Sequence, residues 1–524
     1  MILTRRRFQQ TALALLPGIA HAQTPKYGGT LTLLVEPEPT SLVAFNTTGG
    51  PTVATSPKVT EGLLTYDFDL TPKPELATAW SISEDSLRYT FHLRPGVKWH
   101  DGRDFTAADV AFAIGLVKDV HPRGRNTFSN VTAVLTPDPL TAVLVLSNPA
   151  PYLLYALAAG ETPIVPRHIY EGTQADANPN NNAPIGTGPF RFKEWVRGSH
   201  ILYERNPDYW DQPRPYIDQL VVRFIPDASS RVAALETGDV DLAAEIPLSE
   251  LARLGALPHL GIEYRGYEYS PGTTRIEFNL DHPHLRDLRV RQAIAHAIDR
   301  RVILQTAWYG YGVEAPSPVS PLLTRFYDAS VEKYPFDPAK AERLLDEAGL
   351  PRGQDGIRLR LTHDYFPYGD GYKRVADYLK PALSKIGVAV TIRSQDFTAW
   401  LKRVYTDKDF EFTNHVMTNM FDPNVGLQRY FSSAGYRKGV PFTNAAHYAN
   451  PQVDRLLTAA GVEADPQRRR EQLNSFQQIV ARDLPGINLV SVRQSTVFNR
   501  RVVDFTTGAT GVSSSFARVF LTKT

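Results

Sequence analysis

Residues 61–113 read EGLLTYDFDLTPKPELATAWSISEDSLRYTFHLRPGVKWHDGRDFTAADVAFA. From 86 the run, continued to 117, divides into a strand, a Pro-Gly turn and a helix. Thr106 and Asp109 stand three apart before an apolar run, the spacing of a capping box. Trp80, Phe91, Leu93, Trp99 and Phe105 alternate between tight turns. That pattern predicts scaffold packing rather than a binding surface.

On either side of this stretch the texture differs. Residues 28–39 place Leu31, Leu33 and Val35 on one face, a strand closed by two prolines. Residues 131–146 alternate around Pro137-Asp138-Pro139 as a hairpin, and 176–190 form a loop rich in Asn, Pro and Gly. Strands are predicted at 190–205 and 218–225. A helix over 229–243 is capped at Ser229 or Ser230 and stopped at Gly238. From about 275 longer helices take over. Val290, Ile294, Ala297 and Ile298 make one stripe over 287–303. Asp337, Pro338 and Gly349 bracket the next helix. A strand at 356–364, a helix at 373–386 bent at Pro381 and a strand at 388–394 give a βαβ crossover, hence an α/β lobe. Capped helices at 450–460 and 465–483 precede closing strands at 486–492 and 495–505.

A chain of 524 residues exceeds one ordinary core and implies two or three lobes. Its 42% hydrophobic and 21% charged content is that of a soluble globular protein, and no run of 18 apolar residues occurs. The first 22 residues carry Arg5, Arg6 and Arg7, a short apolar stretch and Ala20-His21-Ala22, the pattern of a cleavable export signal. Thr4 to Phe8 is similar to a twin-arginine signal, with the general secretory route as the alternative. Cleavage leaves 54 basic against 55 acidic side chains, a surface that does not advertise nucleic acid. The absence of cysteine excludes disulfides and thiolate metal sites, so Met417 and Met420 are the only sulfurs past the signal.

Enzymatic motifs are missing. There is no His-Glu-x-x-His and no Gly-x-Ser-x-Gly. Gly186-Thr187-Gly188-Pro189 lacks the Lys-Ser/Thr end of a phosphate loop. His282 and His284 read as loop histidines, and Asp239 and Asp241 as solvent-facing charge at a helix end. The expectation is a protein without catalytic residues, resident metal or cofactor.

Five blocks in order carry a resemblance: 61–113, 184–210 (PIGTGPFRFKEWVRGSHILYERNPDYW), 285–303, 336–350 and 450–457. Together they resemble the peptide/nickel class of ABC-importer binding proteins, the family 5 extracellular solute-binding proteins. The resemblance implies an α/β fold of two lobes joined by a hinge, with an extra subdomain in the first lobe. It places 23–60, 185–270 and 490–524 in the first lobe, 61–184 in the subdomain and 271–489 in the second lobe. It implies capture of a peptide-like or other small polar solute and delivery to membrane permease subunits. The expected protein is a periplasmic monomer.

Candidate ligand contacts are Asn46, Thr47 and Thr48 on the first lobe, and Tyr365, Phe366 and Tyr368 on the second, with Tyr309 and Tyr311 weaker. The segment VMTNMFDPNV (416–425) adds Met417, Asn419, Met420, Phe421 and Asp422. Peptide-binding relatives hold the α-ammonium with an acid three residues before an Asp-Pro, and here that position is Asn419. This points to a modified peptide or a non-peptide solute such as an oligosaccharide, an opine-like conjugate or a metal chelate. Alternatives are a chemosensing role and a secreted hydrolase.

Overall fold

The structure is a computed structural model describing residues 24–522. The export signal expected over 1–22 lies outside the described residues. The alternating run near the start forms the strand Thr30–Leu34, with Leu31 and Leu33 buried. It pairs in parallel with Gln219–Arg223 on one side and Leu242–Ala243 on the other, inside a seven-stranded sheet. Asp241 corrects the reading of it as solvent-facing charge. Its carboxylate is buried, accepts from the Thr32 amide at 3.0 Å and pairs with Arg501 at 2.7 and 2.8 Å. The acid thereby fixes the C-terminal segment onto this sheet. The following prediction also shifts: Asp227, not Ser229 or Ser230, caps the helix Ala228–Thr237, accepting from the Ser230 amide at 2.7 Å. Gly238 ends it at φ 80°.

The block at 61–113 builds a four-stranded antiparallel sheet with the hairpin Val131–Asp138 and Thr141–Leu146. The helix Ala107–Val120 packs in the same core, and its capping box is formed. Asp109 accepts from the Thr106 amide at 2.9 Å and from the Arg167 amide at 3.0 Å. Phe91, Leu93, Trp99 and Phe105 are buried and Trp80 packs against the same core, the scaffold role expected of them.

Two of the sequence blocks meet at Glu61. Its buried carboxyl accepts from Thr187 Oγ1 and Tyr209 Oη at 2.8 Å each and from Trp210 Nε1 at 2.9 Å. Gly186 and Gly188 serve close packing rather than phosphate: a Cβ on Gly186 would lie 1.9 Å from the Val59 carbonyl oxygen.

The second sheet has six strands in the order Gly312–Glu314, Gly486–Val492, Gly272–Phe278, Phe412–Thr418, Leu359–Tyr365 and Val388–Arg393. The helix Asp370–Ser384, containing Pro381, links the parallel strands Leu359–Tyr365 and Val388–Arg393, as the βαβ pattern predicts. The stripe over 287–303 splits into Leu288–His296 and Arg300–Trp308. Asp299 adopts extended backbone and caps the second helix. One hydrophobic core runs from Phe91 and Tyr66 through Tyr269 to Phe421, Tyr430 and Phe476, so the 61–184 region and part of the second lobe share an interior.

Candidate functional site

In open α/β sheets, ligands bind outside the carboxyl ends of parallel strands. On the first sheet those ends lead to Glu36 and Glu245, after the neighbouring strands Thr30–Leu34 and Leu242–Ala243. On the second sheet they lead to Phe366, Ser394 and Asn419. The two edges meet across one crevice. Partial desolvation raises the pKa of Tyr368, a second-lobe residue, and Glu245 and Glu36 add to the rise. Leu248 packs against the cores of both sheets.

Two crossings join the lobes. One runs from Leu260–Glu263 to Gly272–Phe278, the other from Gly486–Val492 to Thr496–Asn499. Tyr267 Oη and Thr496 Oγ1 bond across them at 2.7 Å. Tyr311 stacks on Tyr264 with centroids 6.3 Å apart, a further contact between lobes. Paired crossings of this kind let lobes close as rigid bodies.

The architecture has a counterpart in sequence. The chain matches the model described as bacterial extracellular solute-binding proteins, family 5, over residues 71–438. It belongs to that family. The family 5 chain is 28% identical over 425 residues to the glutathione-binding protein GsiB of Salmonella typhimurium, covering 79% of each. It also superposes on NikZ of Campylobacter jejuni, solved in complex with Ni(L-His), with TM-score 0.79 and 26% identity, covering 93% of this chain and 97% of that one. AgaA of A. tumefaciens R10, solved with agropinic acid, gives TM-score 0.77 and 27% identity over 95% and 99%. The two-lobed fold expected from the sequence is thereby established for this family 5 chain.

Several residues expected to face ligand are engaged within the protein. Asp422 is fully buried, caps Pro423–Gly426 and meets Arg469 in a bidentate pair, both bonds at 2.8 Å. Asn419 is equally buried. Its Oδ1 accepts from the Ser320 amide at 2.5 Å and its Nδ2 donates to the Met417 carbonyl at 3.2 Å. Its carbonyl also explains Gly426, where a Cβ would approach it to 2.0 Å. Met417 is core: its Sδ lies 3.5 Å from Nη1 of the buried Arg275. Met420 holds a left-handed φ of 53° and accepts from Ser270 Oγ at 3.3 Å. Phe421 packs on Tyr269 at 4.8 Å. The two sulfurs thus serve as soft acceptors inside the fold.

The aromatic trio divides similarly. Tyr365 is buried, its hydroxyl 3.0 Å from Ser394 Oγ, and Phe366 is buried among Tyr372, Phe397 and Trp400. Tyr368 is 59% exposed and stacks on Phe366 at 5.6 Å. Asn46 donates to Asp176 at 2.9 Å, and Thr47 accepts from the Gly49 amide. Both line an open groove of about 490 Å³ that no second-lobe residue lines, with the exposed Thr48 next in sequence. Tyr309 carries Arg374 over its ring at 4.8 Å. His282 sits 3.6 Å from Glu411, and no group of three metal-ligating side chains occurs among the described residues.

Sequence reading missed Glu36, Glu245 and Tyr267. Glu245 is an exposed side chain past the end of its strand. Partial desolvation by the surrounding protein shifts its carboxyl upward, with its own backbone amide and Arg231 opposing the rise and Glu36 adding to it. The available signal was their place just past neighbouring strand ends, and that requires knowing which strands are neighbours.

Proposed function

We propose that this chain is the solute-capturing component of an ABC importer. It holds a peptide-like or other small polar solute between its lobes and presents the closed form to membrane permease subunits. The observation carrying this reading is the crevice itself: two sheets, linked by two crossings, direct the ends of their parallel strands at one another. A solute touching both lobes stabilises closure in proportion to its preference for the closed state. Family membership supports the same reading. The relatives named for glutathione, Ni(L-His) and agropinic acid support a small polar or conjugated solute.

Within this reading the first lobe comprises 23–60, 185–270 and 490–524, the subdomain 61–184 and the second lobe 271–489. The strand Gly486–Val492 belongs to the second sheet, which puts the return crossing at 493–495. Tyr368 and the Asn46–Thr48 loop are the proposed solute contacts, and residues 417–422 brace the wall behind. The protein works as a periplasmic monomer exported by its N-terminal signal, without catalysis. Native mass spectrometry of gently purified protein tests this, together with small-angle scattering before and after removal of carried solute. A retained small molecule and a more compact loaded form are expected. Turnover of a substrate panel with no retained solute would favour a hydrolase.

A further inference from the structure

The first crossing is held by every unit it passes. Tyr269 lies on it, between the strands Leu260–Glu263 and Gly272–Phe278. Its hydroxyl donates to the Tyr155 carbonyl at 2.7 Å, and its amide donates to the Ala509 carbonyl at 3.2 Å. Its ring packs on Tyr66 at 5.4 Å and on Phe421 at 4.8 Å. The 61–184 subdomain, the C-terminal segment and the second lobe therefore converge on one side chain. Gly266, three residues earlier, is pressed against the same C-terminal segment: a Cβ there would lie 2.5 Å from Cα of Gly511.

Beside this node the subdomain grips the second lobe. The Arg325 guanidinium lies over the Tyr155 ring, 4.6 Å from its centroid, and Nη1 donates to the Tyr155 hydroxyl. Arg325 is exposed, and its side-chain hydrogen bond goes to this tyrosine rather than to an acid. Tyr155 is presented by a short frame. Tyr66 Oη donates to the Leu154 carbonyl at 2.7 Å and accepts from the Leu157 amide at 3.1 Å. The contact runs from protein to protein and needs no solute.

We propose that Arg325 and Tyr155, seated on Tyr269, form a closure latch that holds the subdomain against the second lobe and keeps the solute-free protein closed. The proposal rests on the solute-binding reading above and deepens it. Glu61 ties the subdomain to first-lobe residues Thr187, Tyr209 and Trp210. Parting the lobes about the crossings therefore separates Tyr155 from Arg325. A contact made only in the closed state favours that state by its own strength, with or without solute. Apparent affinity scales with the fraction of protein in the binding-competent arrangement. Loss of the latch thus weakens binding by one common factor, whatever the solute's chemistry. A solute contact behaves differently, because its loss depends on what the solute presents.

The absence of cysteine permits site-directed spin labelling without background. Labels go on exposed serines as two pairs: Ser229→Cys with Ser384→Cys across the lobes, and Ser81→Cys with Ser384→Cys from subdomain to second lobe. Double electron–electron resonance after removal of carried solute reads the closed-to-open ratio. Arg325→Ala should lower that ratio by about threefold to tenfold in both pairs. Tyr155→Phe keeps the ring, loses the hydroxyl acceptor and should lower it by less. Arg360→Ala, an exposed second-lobe control, should leave both distances alone. Wild type already open without solute, or Arg325→Ala with wild-type distances, overturns the latch and leaves solute capture standing. Native mass spectrometry with no carried solute, joined to turnover of a substrate panel, overturns solute capture. The spin-label distances still decide the latch on their own.

Discussion

At the scale of single residues, the deciding quantity is how completely a polar side chain is already satisfied. Asp422 has both oxygens on Arg469 and also caps a helical turn. Removing it leaves a buried guanidinium without its anion, so Asp422→Ala should lose about 3–5 kcal/mol. Urea unfolding measures this. A ligand-contacting Asp422 would instead leave stability intact and weaken binding. Asn419 behaves alike. Asn419→Asp keeps an acceptor for the Ser320 amide but replaces the donor to the Met417 carbonyl with a second oxygen. The expected cost is about 1–3 kcal/mol, with no gain in thermal stabilisation by unmodified tripeptides. A gain would return the 419 position to the ligand. Position in a motif and chemistry at that position therefore separate here: the spacing before Asp-Pro is kept while the side chain is turned to internal bonding.

At the scale of elements, local chemistry set most of the structure. Thr106 and Asp109 begin a helix in the sequence and in space alike, because a capping box needs only neighbours three residues apart. Thr106→Ala should cost about 0.5–2 kcal/mol in urea unfolding while leaving solute binding unchanged. Where sequence reading erred, an element end depended on competing caps. Asp227 outcompetes Ser229 and Ser230 as the start of Ala228–Thr237, and Asp299 splits the long apolar stripe by taking extended backbone inside it. Periodicity saw both helices of the split pair, since their buried faces continue across the break, but it had no means of seeing the break itself.

At the scale of the whole molecule, buried acids link modules and make stability depend on pH. Glu61 joins the 61–113 block to Thr187, Tyr209 and Trp210, while Glu75 accepts from the Gly62 amide at 3.0 Å. Burial pushes Glu61 to about 7, and burial with the charge of Glu61 raises Glu75 well above the usual carboxyl range. The folded protein therefore holds protons that the unfolded chain releases above about 4.5. Their stabilisation is fully present below that pH and is lost as pH rises through about 7. Glu75→Gln keeps an acceptor for Gly62 and removes the ionisation. Against wild type it should gain on the order of 1–3 kcal/mol between pH 5 and 8, read as a smaller fall in urea midpoint. An unchanged difference across that range would disprove the linkage.

What the sequence by itself determined is local or cumulative: strand and helix types, caps, the lack of thiol chemistry, and five ordered blocks that point to the family. Each depends on residues near one another in the chain, or on many weak matches added together. Only the tertiary structure decided the fate of individual polar side chains. Asp241 was read as exposed and is buried against Arg501; Asp422 meets Arg469; Asn419 meets Ser320. Glu36 and Glu245 follow neighbouring strands although the hydrogen-bonded Thr32 and Asp241 beside them are 209 positions apart in the chain. The physical reason is that a carboxylate's role depends on its solvent and its partner, and both are supplied by segments remote in sequence.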